Sequence, residues 1–269
     1  MGLISRSSLL VLVVLFGSTA VGQQTAPEPK TDQFRLRDFH GWGRFEKGSW
    51  RAVRVVKETF DETGKLSSVS TSDTRAALTA ITDKAFTLTT ETQLEIAGRR
   101  FKPSTRTDAR PYYGIETDWE RKDARELNLP GGKVRCEVLR VKKKGASVTE
   151  LVLAKRAPFL FGRTVANGAA EASANLRVTV LAVDLPYKVL ANIHPVAYVR
   201  TVQSTAESQT ITIEVYSPQV PGGVVAQSTK IVDRKTGNLL ERRTMELTDY
   251  GVASANARRT RPIRRSRKR

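Results

Sequence analysis

Between Thr210 and Tyr250 the chain alternates apolar and polar residues in a way that only extended backbone satisfies. Ile211, Ile213 and Val215 alternate with Thr210, Thr212, Glu214 and Tyr216, the period of two that sends successive side chains to opposite faces of a β-strand. Pro218 and then Val220-Pro221-Gly222-Gly223 end the strand, because proline presets φ at the second position of a turn and glycine supplies the positive φ that follows. Val224–Val232 forms the next strand, Asp233-Arg234-Lys235-Thr236-Gly237-Asn238 a polar turn, and Leu239–Thr248 the strand that leaves it.

Parts of this unit recur. Leu129-Pro130-Gly131-Gly132 precedes Lys133–Val141, the turn Lys142-Lys143-Lys144-Gly145 and Ser147–Leu153, and a third version runs from Trp50–Phe60 through Asp61-Glu62-Thr63-Gly64-Lys65 to Leu66 onward. The repetition fits an ancestral duplication and equally the strand-turn-strand chemistry that antiparallel meanders reuse. Lys84–Ala97 is the longest clean alternation, with Phe86, Leu88, Thr90, Thr92, Leu94 and Ile96 on one side. Further strands are expected at Leu78–Ile81, Phe159–Ala166, Leu176–Val183, Tyr187–Leu190 and Val196–Gln203, with Asn167–Ala174 as a hairpin tip or one helical turn. Pro103–Pro111 reads as polar and irregular, Tyr112–Trp119 as a strand, and Glu120–Asn128 as a charged connection or boundary. No amphipathic segment of helical period exceeds about three turns. The expected fold is therefore all-β, an antiparallel meander forming one or two curved sheets or half-barrels with little helix.

Residues 1–22 stand apart. Arg6, the apolar run Leu9–Phe16 and the small residues ending Ala20-Val21-Gly22 have the layout of a secretory signal cleaved after Gly22, and the run is too short to span a bilayer comfortably. No cysteine follows it, so lipid attachment there is not expected, and the destination is the periplasm or the cell exterior. The remainder divides into a flexible leader (23–33), an N-terminal β region with an aromatic cap (34–128), a C-terminal β region (129–252) and a basic tail (253–269). Cys136 is the only cysteine, so no internal disulfide forms. It shares an alternating apolar face with Val134 and Val138 and reads as a buried, inert thiol.

Phe34–Trp50 interleaves Phe34, Phe39, Trp42, Phe45 and Trp50 with Arg35, Arg37, Arg44 and Lys47, while Gly41, Gly43 and Gly48 break any long regular element. Such a segment either stacks bases or sugars on its rings or buries the rings as a cap over an open sheet. His40 within it reads as structural.

Catalytic and metal chemistry find little support. Two histidines, His40 and His194, and one cysteine cannot close a zinc site, and the nucleophile-elbow, zinc-protease, phosphate-loop and dinucleotide signatures are all absent from the sequence. No cofactor is expected. Glu116, Asp118 and Glu120 alternate and would have to converge in a concave site to support a hydrolase; a solvated strand face beside Arg121 and Lys122 is the simpler reading.

Val215-Tyr216-Ser217-Pro218-Gln219-Val220-Pro221-Gly222-Gly223, continuing to Glu246-Leu247-Thr248-Asp249-Tyr250-Gly251, with Trp42-Gly43-Arg44-Phe45 and Gly48-Ser49-Trp50, resembles uncharacterised secreted bacterial β-rich proteins. It is also distantly similar to the half-barrel carriers that sort outer-membrane lipoproteins. The resemblance implies a sheet curled around an apolar groove and brings no site residue with it. On this expectation an exported, non-enzymatic protein binds a lipid, another apolar ligand or a partner's apolar segment at the envelope. The candidate groove residues are Phe86, Leu88, Leu94, Ile96, Ile211 and Ile213.

The alternative is adhesion through charge. The formal net charge is +18 over 269 residues, and Arg258, Arg259, Arg261, Arg264, Arg265, Arg267, Lys268 and Arg269 carry nearly half of it in a stretch without acids. Such a run is attracted to anionic membrane or polysaccharide in a salt-dependent way; nucleic acid is the less expected polyanion, and no oligomeric state follows from the pattern. If the tail carries adhesion, truncation after Ala257 abolishes the salt-sensitive part of binding to anionic vesicles. Equal salt titrations for the truncated and full chains remove the tail from the argument.

Overall fold

Alternation of period two becomes strand throughout the computed structural model, which describes residues 34–115, 119–129, 132–142, 147–167 and 174–253. The strands are β1 (Trp50–Phe60), β2 (Leu66–Ile81), β3 (Ala85–Ile96), β4 (Arg99–Arg100), β5 (Ser104–Pro111), β6 (Trp119–Leu129), β7 (Gly132–Lys142), β8 (Ser147–Leu153), β9 (Leu160–Asn167), β10 (Ala174–Val189), β11 (Asn192–Ser204), β12 (Ser208–Tyr216), β13 (Val224–Asp233) and β14 (Leu239–Gly251). Two single 3-10 turns, Leu36–Phe39 and Tyr112–Gly114, are the helical elements among the described residues. The all-β antiparallel expectation holds. The signal and leader segments, the tail arginines, Glu116 and Asp118 lie outside the described residues.

All fourteen strands belong to one sheet in the order β4-β3-β2-β1-β14-β13-β12-β11-β10-β9-β8-β7-β6, with β5 also on β3. The chain starts in the middle of this sheet at β1, builds outward to β5, resumes at the opposite edge with β6 and returns strand by strand until β14 pairs with β1. That pairing runs antiparallel from Trp50 opposite Gly251 to Thr59 opposite Glu241, with a shift at Ala52 and Val53.

Four sequence expectations need correction. Ser104–Pro111 and Glu120–Asn128 are strands, pairing along β3 and β7 respectively. Each is an edge strand, and edges carry charge that blunts pairing with other chains. Arg106, Asp108 and Arg110 on one edge, and Glu120, Arg121 and Lys122 on the other, hide the apolar alternation. Tyr112–Trp119 is not a continuous strand, since Tyr113 turns the chain at φ 58. Leu176–Val183 and Tyr187–Leu190 are one strand, β10, bent by register shifts between Val180 and Leu185. Beyond those shifts β10 and β11 pair only with each other, and the hairpin projects past the strands beside it. Its Val189 and Val196 are buried in a cluster with Val215, Val220 and Val225.

The two hairpin turns flanking the β1–β14 seam use the same device. An Asp61 carboxylate oxygen accepts the N–H groups of Thr63 and Lys65, both at 2.9 Å, and one of Asp233 accepts those of Lys235 at 2.8 Å and Thr236 at 2.7 Å. These bonds favour the ionised form and hold both carboxyls below the usual range. The turns are tied together where Asn238 Nδ2 donates to the Glu62 carbonyl at 2.8 Å.

Cys136 is fully buried and burial pushes its thiol up to about 11. At the Pro221-Gly222-Gly223 turn the backbone packs directly against a ring. Gly222 and Gly223 have φ of 79 and 84°, and a Cβ on Gly223 would stand 1.9 Å from the Tyr216 ring. Gly237 has the same backbone sign, φ 76°, but open space around it. In urea denaturation Gly237→Ala is expected to cost about 1 kcal/mol of strain, whereas Gly223→Ala adds a clash with the ring and costs roughly 3 kcal/mol or more. Equal losses would show that the ring contact is unimportant.

Candidate ligand cavity under the aromatic cap

The segment from Leu36 to Ser49 lies across one face of the sheet. Phe39, Trp42 and Phe45 are buried, and Trp42 and Phe45 join Leu78, Phe86, Leu88 and Tyr112 in one cluster. These three rings are therefore core, while Phe34 and Trp50 are half-buried. The cap is fastened by polar contacts as well. The Trp42 N–H donates to His40 Nδ1 at 3.2 Å, the Tyr113 hydroxyl donates to the Phe39 carbonyl, and Arg37 Nε donates to the Gly43 carbonyl at 2.9 Å. Arg44 sits 5.1 Å from the centre of the Phe159 ring and Arg51 5.8 Å from that of Trp42, both within cation–π range. Gly41 is required where the cap crosses β12, since a Cβ there would stand 2.0 Å from the Tyr216 hydroxyl.

Register defines the capped face. Leu94, Ser72, Val55, Met245, Gln227, Glu214, Val199 and Val180 are successive cross-strand partners from β3 to β10, so they share it. Ile213, Ser228, Thr244, Val56, Thr71 and Glu95 form the adjacent row and point to the other side. The six groove residues named from sequence are thus divided. Phe86 and Leu88 are packed in the cap cluster, Leu94 and Ile96 continue along the capped face, and Ile211 and Ile213 belong to the opposite face. Glu120 is ion-paired with Lys122 at 2.5 Å.

Where the cap passes from β3 towards β12 it leaves a cavity of about 150 Å³. Pro158, Leu160, Val178 and Val199 supply apolar wall, and His40, Tyr113, Thr201, Glu214 and Tyr216 bring polar atoms. Burial pushes the Glu214 carboxyl up, opposed by the nearby Arg51 guanidinium. Arg51 is half-buried, its Nη1 donating to the Val224 carbonyl at 2.9 Å. Burial also holds the Tyr113 and Tyr216 phenols protonated and lowers His40 to about 4. Opposite Val178, on β9, Arg163 has a buried Nε without a hydrogen-bond partner among the described residues. No group of three or more His, Cys, Asp or Glu side chains is placed to hold a metal ion among the described residues.

Sequence reasoning missed this site because it assigned Ile211, Ile213 and Val215 to the buried phase of β12. The opposite phase meets the cap through Glu214 and Tyr216. A lone carboxylate in a phase otherwise made of threonine and tyrosine was the available signal.

No protein-family model matches the chain, and no curated protein does. Among solved structures the chain is similar to an exported protein with a YmcC-like fold from Bacteroides fragilis, at 8% identity over 77% of this chain and 97% of that one, TM-score 0.31. It is similar to an outer membrane lipoprotein-sorting protein domain from Vibrio parahaemolyticus, at 7% identity over 78% and 86%, TM-score 0.34. A lipoprotein from Parabacteroides distasonis is similar at 11% identity over 77% and 96%, TM-score 0.30. The resemblance is distant, as the sequence motifs indicated, and at these scores it carries no argument about the site.

His40 makes the cap sensitive to pH. Unfolded, it takes up a proton near 6.5; folded, only near 4. The unfolded chain therefore binds more protons between these values, and stability falls as pH drops through that window. Urea denaturation at pH 7 and pH 4.5 should show the wild type losing up to about 3 kcal/mol more than His40→Asn, which keeps an acceptor for the Trp42 N–H without a titrating ring. Parallel profiles would mean that His40 does not titrate differently on folding.

Proposed function

We propose that the protein is an exported, non-enzymatic β protein that holds an apolar ligand, or a partner's apolar segment, against its capped face at the cell envelope. The observation that carries this reading is the cavity between cap and sheet, walled by Pro158, Leu160, Val178 and Val199. It adjoins a face that also carries Val180, Met245, Val55 and Leu94, with Gln227 and Ser72 among them. Export rests on the charged, apolar and small-residue layout of residues 1–22. The chemistry at the cavity supports a binding role over a catalytic one: His40 is neutral with Nδ1 already accepting an N–H, and the Tyr113 and Tyr216 phenols are held protonated.

Adhesion through the basic tail remains the second reading, carried by the eight cations from Arg258 onward. The cap arginines are already engaged within the fold. Arg35 pairs with Asp38 at 3.3 Å, while Arg37 and Arg44 hold the cap as described.

Methyl NMR titration with butanol, pentanol and hexanol tests the ligand reading. Each added methylene is worth about 0.8 kcal/mol on burial, roughly fourfold in affinity. Shifts should centre on Val178 and Val199, affinity should rise with chain length, and Val199→Trp should abolish binding while Ile211→Trp on the opposite face leaves it intact. Affinity that ignores chain length, or equal effects of the two substitutions, overturns the reading.

A further inference from the structure

The polar groups of the cavity carry more information than its apolar wall. His40 Nδ1 accepts the Trp42 N–H and the Tyr113 hydroxyl is used on the Phe39 carbonyl. Glu214, Tyr216 and Thr201 line the same space, and the Glu214 carboxylate and the two hydroxyls have no hydrogen-bond or ion-pair partner among the described residues. Their placement follows from register. Tyr216 is two residues from Glu214 on the same face of β12, while Thr201 on β11 lies opposite Thr212 and so diagonal to Glu214, within reach of side chains from neighbouring positions.

We infer that this cavity receives a protonated primary amine on a short apolar chain, with the ammonium group at Glu214, Tyr216 and Thr201 and the chain along Pro158, Leu160, Val178 and Val199. The inference rests on the ligand reading above and adds the chemistry of the head group. An ammonium has three N–H donors and no acceptor, and the three groups offer one carboxylate and two hydroxyl oxygens. A carboxylate without a hydrogen-bonded or ion-paired partner in a partly apolar cavity is costly, Arg51 offsets only part of that cost, and a cation seated against the carboxylate offsets more. Arg51 does not occupy this role: its Nη1 is turned to the Val224 carbonyl and it does not line the cavity.

Size limits the ligand further. A cavity of about 150 Å³ is smaller than the roughly 300–1,000 Å³ of sites for drug-sized molecules. It admits an amine with a few carbons, or the head and first carbons of a longer amphiphile whose chain runs out onto the capped face. The chief competitor is a carboxylate head. It would be repelled by Glu214; Arg51, the cation whose charge acts on Glu214 and Tyr216, does not line the cavity, and neither does Arg163, which lies opposite Val178 on β9.

Calorimetry on the full chain at pH 7.5 with hexylamine, hexanol and hexanoate tests this. Hexylamine should bind at least tenfold more tightly than hexanol, with hexanoate weakest. Glu214→Gln should bring hexylamine down to the hexanol level and leave hexanol within about twofold, which also reports that the cavity is intact. Thr201→Val should weaken hexylamine severalfold and hexanol less. Hexanoate or hexanol binding as tightly as hexylamine, or an unchanged ranking in Glu214→Gln, overturns the inference. If hexanol binds without any preference for the amine, the head-group inference falls and the apolar-ligand reading stands; if none of the three binds, both fall.

Discussion

Everything in this fold hangs on the pairing of β1 with β14. It joins an arm built outward from β1 to an arm that returns from the opposite edge, closing a contact that spans 184 residues between Glu58 and Arg242. Loop closure on this scale costs only slowly more with length, and the ten-residue ladder offsets it. The seam is marked by charge: Arg242 forks onto Glu58, and Lys57 reaches Glu241 at 2.6 Å. Partly exposed pairs of this kind contribute about 0–1 kcal/mol each, so their role is register more than stability. Register in turn decides which phase of every strand from β3 to β12 faces the cap.

The same seam makes the cavity. Arg51 on β1 reaches Val224 on β13 and interacts with Glu214 on β12 only because β14 lies between them. The cap then covers one end of that face, with Trp42 against Phe86 on one side and Gly41 against Tyr216 on the other. Glycines at Gly41, Gly222 and Gly223 let backbone approach the Trp42 and Tyr216 rings where any Cβ would collide. A closed aromatic core over β2 and β3 and a small cavity beside β9 to β12 are thus two consequences of one short segment lying across a curved sheet.

Most strands were legible because a half-buried strand writes its burial into alternate residues, as Lys84–Ala97 and Thr210–Ser217 do. The edges β5 and β6 were not, since charge on both faces of β6 erases that alternation, and in β5 the face opposite Arg106, Asp108 and Arg110 carries Thr105, Thr107 and Ala109 rather than large apolar side chains. The break in β10 was likewise read as two strands, because a bulge shifts the apolar phase without ending the strand. The cavity was legible least of all. In β12 both phases are partly buried, and Ile211 and Ile213 are more apolar than Thr212 and Glu214, so residue type pointed to the face away from the cap.

By itself the sequence determined the antiparallel all-β character, the turn positions at Asp61, Asp233 and Gly222-Gly223, and the place of Cys136 on an apolar strand face. These follow from local periodicity and from φ preferences. Only the tertiary structure decided that β1 sits mid-sheet against β14, and that Glu214 rather than Ile211 or Ile213 faces the cap. Pairing between strands far apart in sequence is chosen by the fit of whole faces, and no window of neighbouring residues contains that information.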